Sequence, residues 1–186
     1  MRYFTYVFPC LWEDHCKVGF SKDPLTRLEA FHSRWFDAFD LDRGFLIESD
    51  REREARDLEL RLRRPLLEHK APKPSTVRQA AGGHTEWLRG AFATLETQGS
   101  ALEREGYTLY RPSRAWLATR LADRMDKLYS WSSAQWTAPQ LVVHEERRLR
   151  ECLRDALDAH RALSLDIRQC LPDEVAQWYF EGASWV

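Results

Sequence analysis

Tyr3-Phe4-Thr5-Tyr6-Val7-Phe8 is an unbroken run of aromatic and β-branched residues, and Pro9 follows it directly. Such side chains suit the pleated surface of a strand, and a proline, lacking an N–H for the ladder, ends one. A polar turn with Glu13 and Asp14 leads to Cys16-Lys17-Val18-Gly19-Phe20, and the two runs read as a β-hairpin. A helix is expected next. Ser21 or Asp23 supplies its N-cap and Pro24 its first position, and Leu25, Leu28, Phe31, Trp35 and Phe36 form an apolar stripe to about Phe36. A hairpin feeding directly into an amphipathic helix commits this part of the chain to an α+β arrangement, because each element must bury one face.

The rest of the N-terminal half extends that pattern. Phe45-Leu46-Ile47-Glu48 reads as a third strand, and Asp50 as the cap of a second helix reaching Leu67, with Ala55, Leu58, Leu62 and Leu66 on its apolar side. Residues 70–85 are rich in Pro, Gly, Ser and Lys and read as a long loop, either functional or mobile. Trp87 and Leu88 return to the core, and a helix over about 91–105 ends at Gly106. Beyond residue 110 the texture changes to helices over 113–131, 140–164 and 172–182, separated by Ser132–Pro139 and Leu171-Pro172. The expected architecture is a small antiparallel sheet flanked by helices over residues 1–110, then a helical domain over 111–186.

Composition narrows the function classes. With 28 Lys+Arg against 29 Asp+Glu and a net charge of −1, the chain lacks the basic surplus of a protein that coats nucleic acid. Residues 1–110 carry 17 basic and 18 acidic side chains and residues 111–186 carry 11 of each, so any nucleic-acid site is a local patch. No apolar run approaches the roughly 18–20 residues of a membrane span, and the N-terminus lacks the shape of a signal peptide. The four Cys show no CxxC spacing and no disulfide framework, so a cytoplasmic setting is expected. Cys10, His15 and Cys16 flank the hairpin turn without an evident fourth ligand, which favours buried or turn-side thiols over a zinc site.

The chemistry concentrates where the hairpin meets its helix. Tyr6 and Lys17 stand on neighbouring strands, Arg27 sits one turn into the helix, and Glu59 lies midway along the second helix. A phenol, an amine, a guanidinium and a carboxylate on one face make a phosphodiester-cleaving set: the carboxylate for a divalent cation, the arginine for the phosphate, the phenol or amine for water. Each residue also has a bland reading. Tyr6 suits a core, Lys17 a solvated strand, and Arg27 an ion pair with Glu29 or Asp23. Glu59 falls in DREREARDLELRLRR, whose alternating charges suit an exposed face.

Over residues 3–92 the chain resembles the GIY-YIG nuclease superfamily, most closely its phage-type and meiotically up-regulated branch. The resemblance rests on Tyr6-Val7-Phe8, on Lys17-Val18-Gly19-Phe20-Ser21-Lys22-Asp23-Pro24 with Arg27, on Leu58-Glu59 with Leu62, and on Thr85-Glu86-Trp87-Leu88. It implies that Tyr6 positions or activates water and that Lys17, standing where most of the family has tyrosine, acts as a base or orients water. Gly19 would be the structural glycine, Arg27 the phosphate contact, and Glu59 the ligand of one Mg²⁺ or Mn²⁺. Glu86 and Trp87 would form the closing motif, read as structural.

The chain departs from the family in two places. Thr5 precedes Tyr6 in place of the usual opening, which leaves Tyr3 as an alternative tyrosine. Arg63 stands where the branch carries histidine; it offers a phosphate contact, and His32 and His84 are candidates to supply the missing acid–base group, with Glu54 or Glu86 the next ligands after Glu59. The expected function is metal-dependent endonuclease action on DNA, with RNA also admissible. The alternative is an inactive nucleic-acid- or protein-binding module on the same fold. In the helical part, Trp116, Trp131, Trp136, Trp178 and Trp185 are read as packing residues before base-stacking ones. Arg147, Arg148, Arg150 and Arg154, interleaved with Glu145, Glu146 and Glu151, suit a phosphate track or a solvated ion-pair face equally.

Overall fold

The hairpin does form, as β1 (Tyr3–Pro9) and β2 (His15–Ser21), with Tyr6 opposite Gly19 and Phe8 opposite Lys17. The structure is a computed structural model describing residues 2–78, 86–137 and 143–182. α1 (Pro24–Phe31) follows with Pro24 at its first position, and Asp23 caps it by accepting the Thr26 N–H at 3.3 Å.

α1 stops at Phe31, short of the expected Phe36, because His32 turns extended and accepts the Arg34 N–H on Nδ1 at 3.0 Å. A side chain that satisfies a nearby backbone donor competes with the helix. The apolar stripe resumes in the four-residue α2 (Trp35–Ala38), which buries Trp35 and Phe36 by itself.

β3 (Phe45–Ser49) lies where expected; α3 (Glu52–Arg63) has Arg51 rather than Asp50 at its uncapped N-terminus and stops short of the expected Leu67, because Pro65 follows and residues Arg64–His69 tighten into a 3₁₀ helix. β4 (Trp87–Arg89), α4 (Phe92–Arg104) and β5 (Leu109–Tyr110) complete the N-terminal part, and Gly106 ends α4 at φ +101°. β4 and β5 went unread in the sequence because runs of two or three residues carry no periodic signal. Among the described residues the five strands form one antiparallel sheet in the order β4-β2-β1-β3-β5.

One face of the sheet carries Val7, Val18, Cys16 and Ile47, which pack with Leu58, Leu62 and Leu66 and with Leu95 and Leu102 of α4. Thr5, fully buried, ties this face to α3 by donating to the Ala55 carbonyl at 2.8 Å. The other face carries Tyr6, Phe8, Lys17 and Trp87, joined by Phe31 and Phe39 in a set of ring contacts.

The chain divides into two compact units, one ending at Trp116 and one starting at Leu117. α5 (Ser113–Ala122) spans that boundary, and Trp116 packs on Phe4 at 4.8 Å. The second unit holds α6 (Leu128–Trp136), α7 (Val143–Ala162) and α8 (Asp173–Glu181) around Leu153, Leu157, Ile167, Val175 and Tyr179. The expected helix over 113–131 breaks after Ala122, and α6 runs five residues into the expected linker, since Ser132 is buried and bonds back to the Tyr129 carbonyl.

Trp136 packs under Arg150 at 3.4 Å and donates to Glu174, and Trp178 lies beneath Arg154. Arg147 and Arg150 pair with Glu151 and Glu146. Aromatic packing and ion pairs therefore use these side chains. Trp185 lies outside the described residues. No helix among the described residues is long and apolar enough to cross a membrane.

Candidate active site

The hairpin register decides which polar side chains meet. Tyr6 and Gly19 face each other across the strands, and a Cβ on residue 19 would come within 2.5 Å of the Tyr6 hydroxyl. Only glycine lets the phenol lie across β2. The Tyr6 ring stacks on Phe8 at 4.9 Å and is 2% exposed. Burial pushes its hydroxyl up to about 12, opposed by the Arg27 guanidinium that hydrogen-bonds it and reinforced by the carboxylates of Glu86 and Glu59. The phenol is neutral at any physiological pH.

Lys17, opposite Trp87, is 1% exposed. Its ammonium sits 5.5 Å from the Trp87 ring and 5.7 Å from Phe31, and donates to Glu86 Oε2 at 2.6 Å. Burial holds its pKa below the ordinary lysine value; Glu86 draws it back up, Arg27 pushes it down, and Glu59 raises it. Glu86 stands at the start of β4 because the Val18 N–H donates to its carbonyl at 3.1 Å, extending the β2–β4 pairing by one step.

Arg27 places its guanidinium 4.6 Å from the Phe31 ring, one turn along the same helix. Glu59 comes from α3, whose Leu58 and Leu62 enter the core on the opposite face, yet its carboxylate bears on both Tyr6 and Lys17. Glu59 is 6% exposed and accepts from Arg63 at 2.6 Å, four residues on. Tyr6, Lys17, Arg27, Glu59 and Glu86 thus form one electrostatically coupled group, with Arg63 at its edge.

The remaining candidates lie elsewhere. Tyr3 sits under the Lys22 ammonium at 5.2 Å. Glu54 lines a separate groove with Asp50 and Tyr107. His32 occupies the end of α1 and lines a cavity with Trp12 and Phe39. His84 lies outside the described residues. Cys10 and Cys16 are neutral thiols, pushed up to about 12 by burial, and Cys16 donates to the Leu88 carbonyl.

Two features escaped the reading of the sequence. The Lys17–Glu86 pair spans 69 residues, beyond any local pattern, and Arg63 engages the very carboxylate assigned to a metal. The second had a signal, the i,i+4 spacing of Glu59 and Arg63.

The donor set suits a hard divalent cation such as Mg²⁺ or Mn²⁺, because Glu59 and Glu86, both of which bear on Tyr6 and Lys17, offer carboxylate oxygens. Among the described residues no three His, Cys, Asp or Glu side chains are grouped to cage an ion. A cation bound here would take one or two carboxylates and complete its shell with water and phosphate oxygen, as Mg²⁺ commonly does. Comparison with protein families, with curated proteins and with solved structures finds no match.

Proposed function

We propose that the chain is a divalent-metal-dependent endonuclease hydrolysing DNA phosphodiester bonds, as the resemblance of residues 3–92 to the GIY-YIG nucleases implies. The observation that carries this reading is the convergence of Tyr6, Lys17, Arg27 and Glu59, contributed by β1, β2, α1 and α3, with Glu86 just before β4, on one electrostatically coupled cluster.

Arg27 binds a non-bridging phosphate oxygen and stabilises the charge that grows there in the transition state. Its stacking on Phe31 and bond to Tyr6 hold the guanidinium in place. Lys17, its pKa lowered by burial, takes the proton from the attacking water in its neutral form. Water oxygen then bonds to phosphorus, the bridging P–O bond breaks, and the leaving oxygen takes a proton from solvent. Glu86 orients the amine. Tyr6, kept neutral, orients the water and does not act as a phenolate base. A Mg²⁺ or Mn²⁺ at Glu59 supplies charge neutralisation of the phosphate when bound.

The test is plasmid incubated with the protein and Mg²⁺ or Mn²⁺, with and without EDTA. Wild type nicks the plasmid only with metal, and Arg27→Ala lowers turnover by about 10²–10³-fold, the usual cost of one transition-state donor. Equal rates for wild type, Arg27→Ala and Glu59→Gln would sink the reading. An RNA of the same sequence run alongside assigns the sugar.

A second reading is favoured by the Glu59–Arg63 contact at 2.6 Å, which engages the metal carboxylate and suits a module that binds nucleic acid without cutting it. A gel shift without products would support it. The free thiols of Cys10, Cys16, Cys152 and Cys170 suit a reducing compartment, and we place the protein in the cytoplasm.

A further inference from the structure

Trp12, at the tip of the β1–β2 hairpin, is 82% exposed, although indole is among the costliest surfaces to leave in water. Its orientation is held all the same: the indole N–H donates to the Asp37 carbonyl at 3.0 Å. Beside the ring lies a cavity of about 210 Å³. Phe39 and Val77 line it together with Trp12, and His32 and Arg34 stand at its wall.

The far side is anchored as well. The Arg78 N–H donates to the Phe31 carbonyl, and the Lys73 ammonium donates to the carbonyls of Val77 and Arg78. The cavity wall connects to the cluster described above through buried rings, for Phe39 stacks on Trp87 at 6.3 Å and Trp87 carries the Lys17 ammonium at 5.5 Å.

Charge decides what the cavity suits. Arg34 and Asp37 neutralise each other at 2.7 Å and Glu13 adds a second carboxylate to the lining, so there is no cationic surplus to seat a phosphate. An aromatic platform with polar groups at its rim suits instead a flat, weakly polar ring with hydrogen-bond acceptors. His32 accepts the Arg34 N–H on Nδ1, so its neutral ring carries the proton on Nε2 and offers a donor.

We propose that this cavity binds one unstacked nucleobase of single-stranded DNA, with Trp12 as the stacking platform. The placement is then a division of labour: the base is held at the hairpin tip while a phosphate of the same strand reaches Arg27. The inference deepens the nuclease reading and rests on it for its setting, but it concerns binding alone.

The experiment is fluorescence anisotropy of a labelled oligothymidylate with the full chain in EDTA, where no turnover occurs, across a salt series. Trp12→Ala weakens binding by about 5- to 150-fold, the range for loss of one base–aromatic stack, and leaves the salt slope unchanged because stacking releases no counterions. Trp12→Phe restores most of that loss. Since Trp12 is 82% exposed, the variant folds, and matching circular dichroism spectra verify it. A fully paired duplex shows no comparable loss.

Equal binding of the oligonucleotide by wild type and Trp12→Ala overturns the proposal, as does an equal loss on duplex, which would place Trp12 on a general DNA surface. Plasmid cleavage is scored separately. If wild type cuts nothing while Trp12→Ala loses single-strand binding, the nuclease reading fails and the base site stands. If cleavage depends on Arg27 while Trp12→Ala binds normally, the reverse holds.

Discussion

At the residue scale the site depends on two contacts between groups that differ in kind. The first is steric. A methyl group at residue 19 has no room beside the Tyr6 hydroxyl, 2.5 Å away, and the hydroxyl is the end of a ring locked between Phe8 and β2. Gly19→Ala therefore costs about 1–3 kcal/mol, the usual range for overpacking, and displaces the phenol from Arg27. Urea unfolding measures the first effect and cleavage rate the second.

The second contact is electrostatic. Lys17 is buried with Glu86 as its hydrogen-bonded counter-ion. Burial depresses its folded pKa below the unfolded value, so its protonated form disfavours the folded state, and this cost lifts as pH rises through the folded pKa. Glu86 raises that pKa more than Glu59 does. Glu86→Gln therefore shifts the rising limb of the kcat/KM–pH profile to lower pH, if Lys17 in its neutral form is the base. A limb that stays in place or moves up would remove Lys17 from that role. Tyr6, with its pKa near 12, contributes no limb in the accessible range.

At the element scale, α3 does two jobs at once. Ala55, Leu58 and Leu62 at spacings of three and four build its buried stripe, as the periodicity predicts. Glu59 flanks that stripe and is carried into the cluster, while its neighbours Arg56 and Arg61 stay outside, one over Phe20 and one paired with Glu105. The i,i+4 partner Arg63 limits access to the carboxylate. Arg63→Ala should tighten Mn²⁺ binding by about fivefold, corresponding to the loss of roughly 1 kcal/mol of competing ion pair. Titration calorimetry reads this directly, with Glu59→Gln as the control that abolishes it. An unchanged affinity would place the ion elsewhere.

The long periodic elements, β1, β2, α1, α3 and α7, were legible because their patterns repeat within a few residues. The break after Phe31 was not: both sides of it are apolar, and the cause is one histidine ring satisfying one N–H. β4 and β5 exist only because β2 and β3 offer them edges, so nothing in their own two or three residues announces a strand.

At the scale of the whole molecule, the balance of 28 basic against 29 acidic side chains limits what nucleic-acid binding can look like. The cations of the cluster are Arg27, Arg63 and Lys17, and two of these engage carboxylates at 2.6 Å. The slope of log K against log salt should therefore be shallow, with a magnitude of about 2–3 for two or three phosphates neutralised. A slope near that of a protein contacting six or more phosphates would show a larger basic surface than this fold presents. In the second unit, Arg147, Arg150 and Arg154 of α7 are already engaged by glutamates and indoles.

The sequence by itself determined the hairpin, the helix that follows it, the α+β class and the identity of the polar residues worth watching. It did so because strand and helix periodicity, caps and proline placement are local properties. Only the tertiary structure decided which charges matter. In DREREARDLELRLRR every carboxylate has the same local character, and Glu59 differs only through the docking of α3 against β1 and β2. Lys17 reads as a solvated strand residue until β4, 69 residues away, brings Glu86 to its ammonium. Burial and the pairing of charges are set by contacts between distant segments, and no spacing along the chain encodes them.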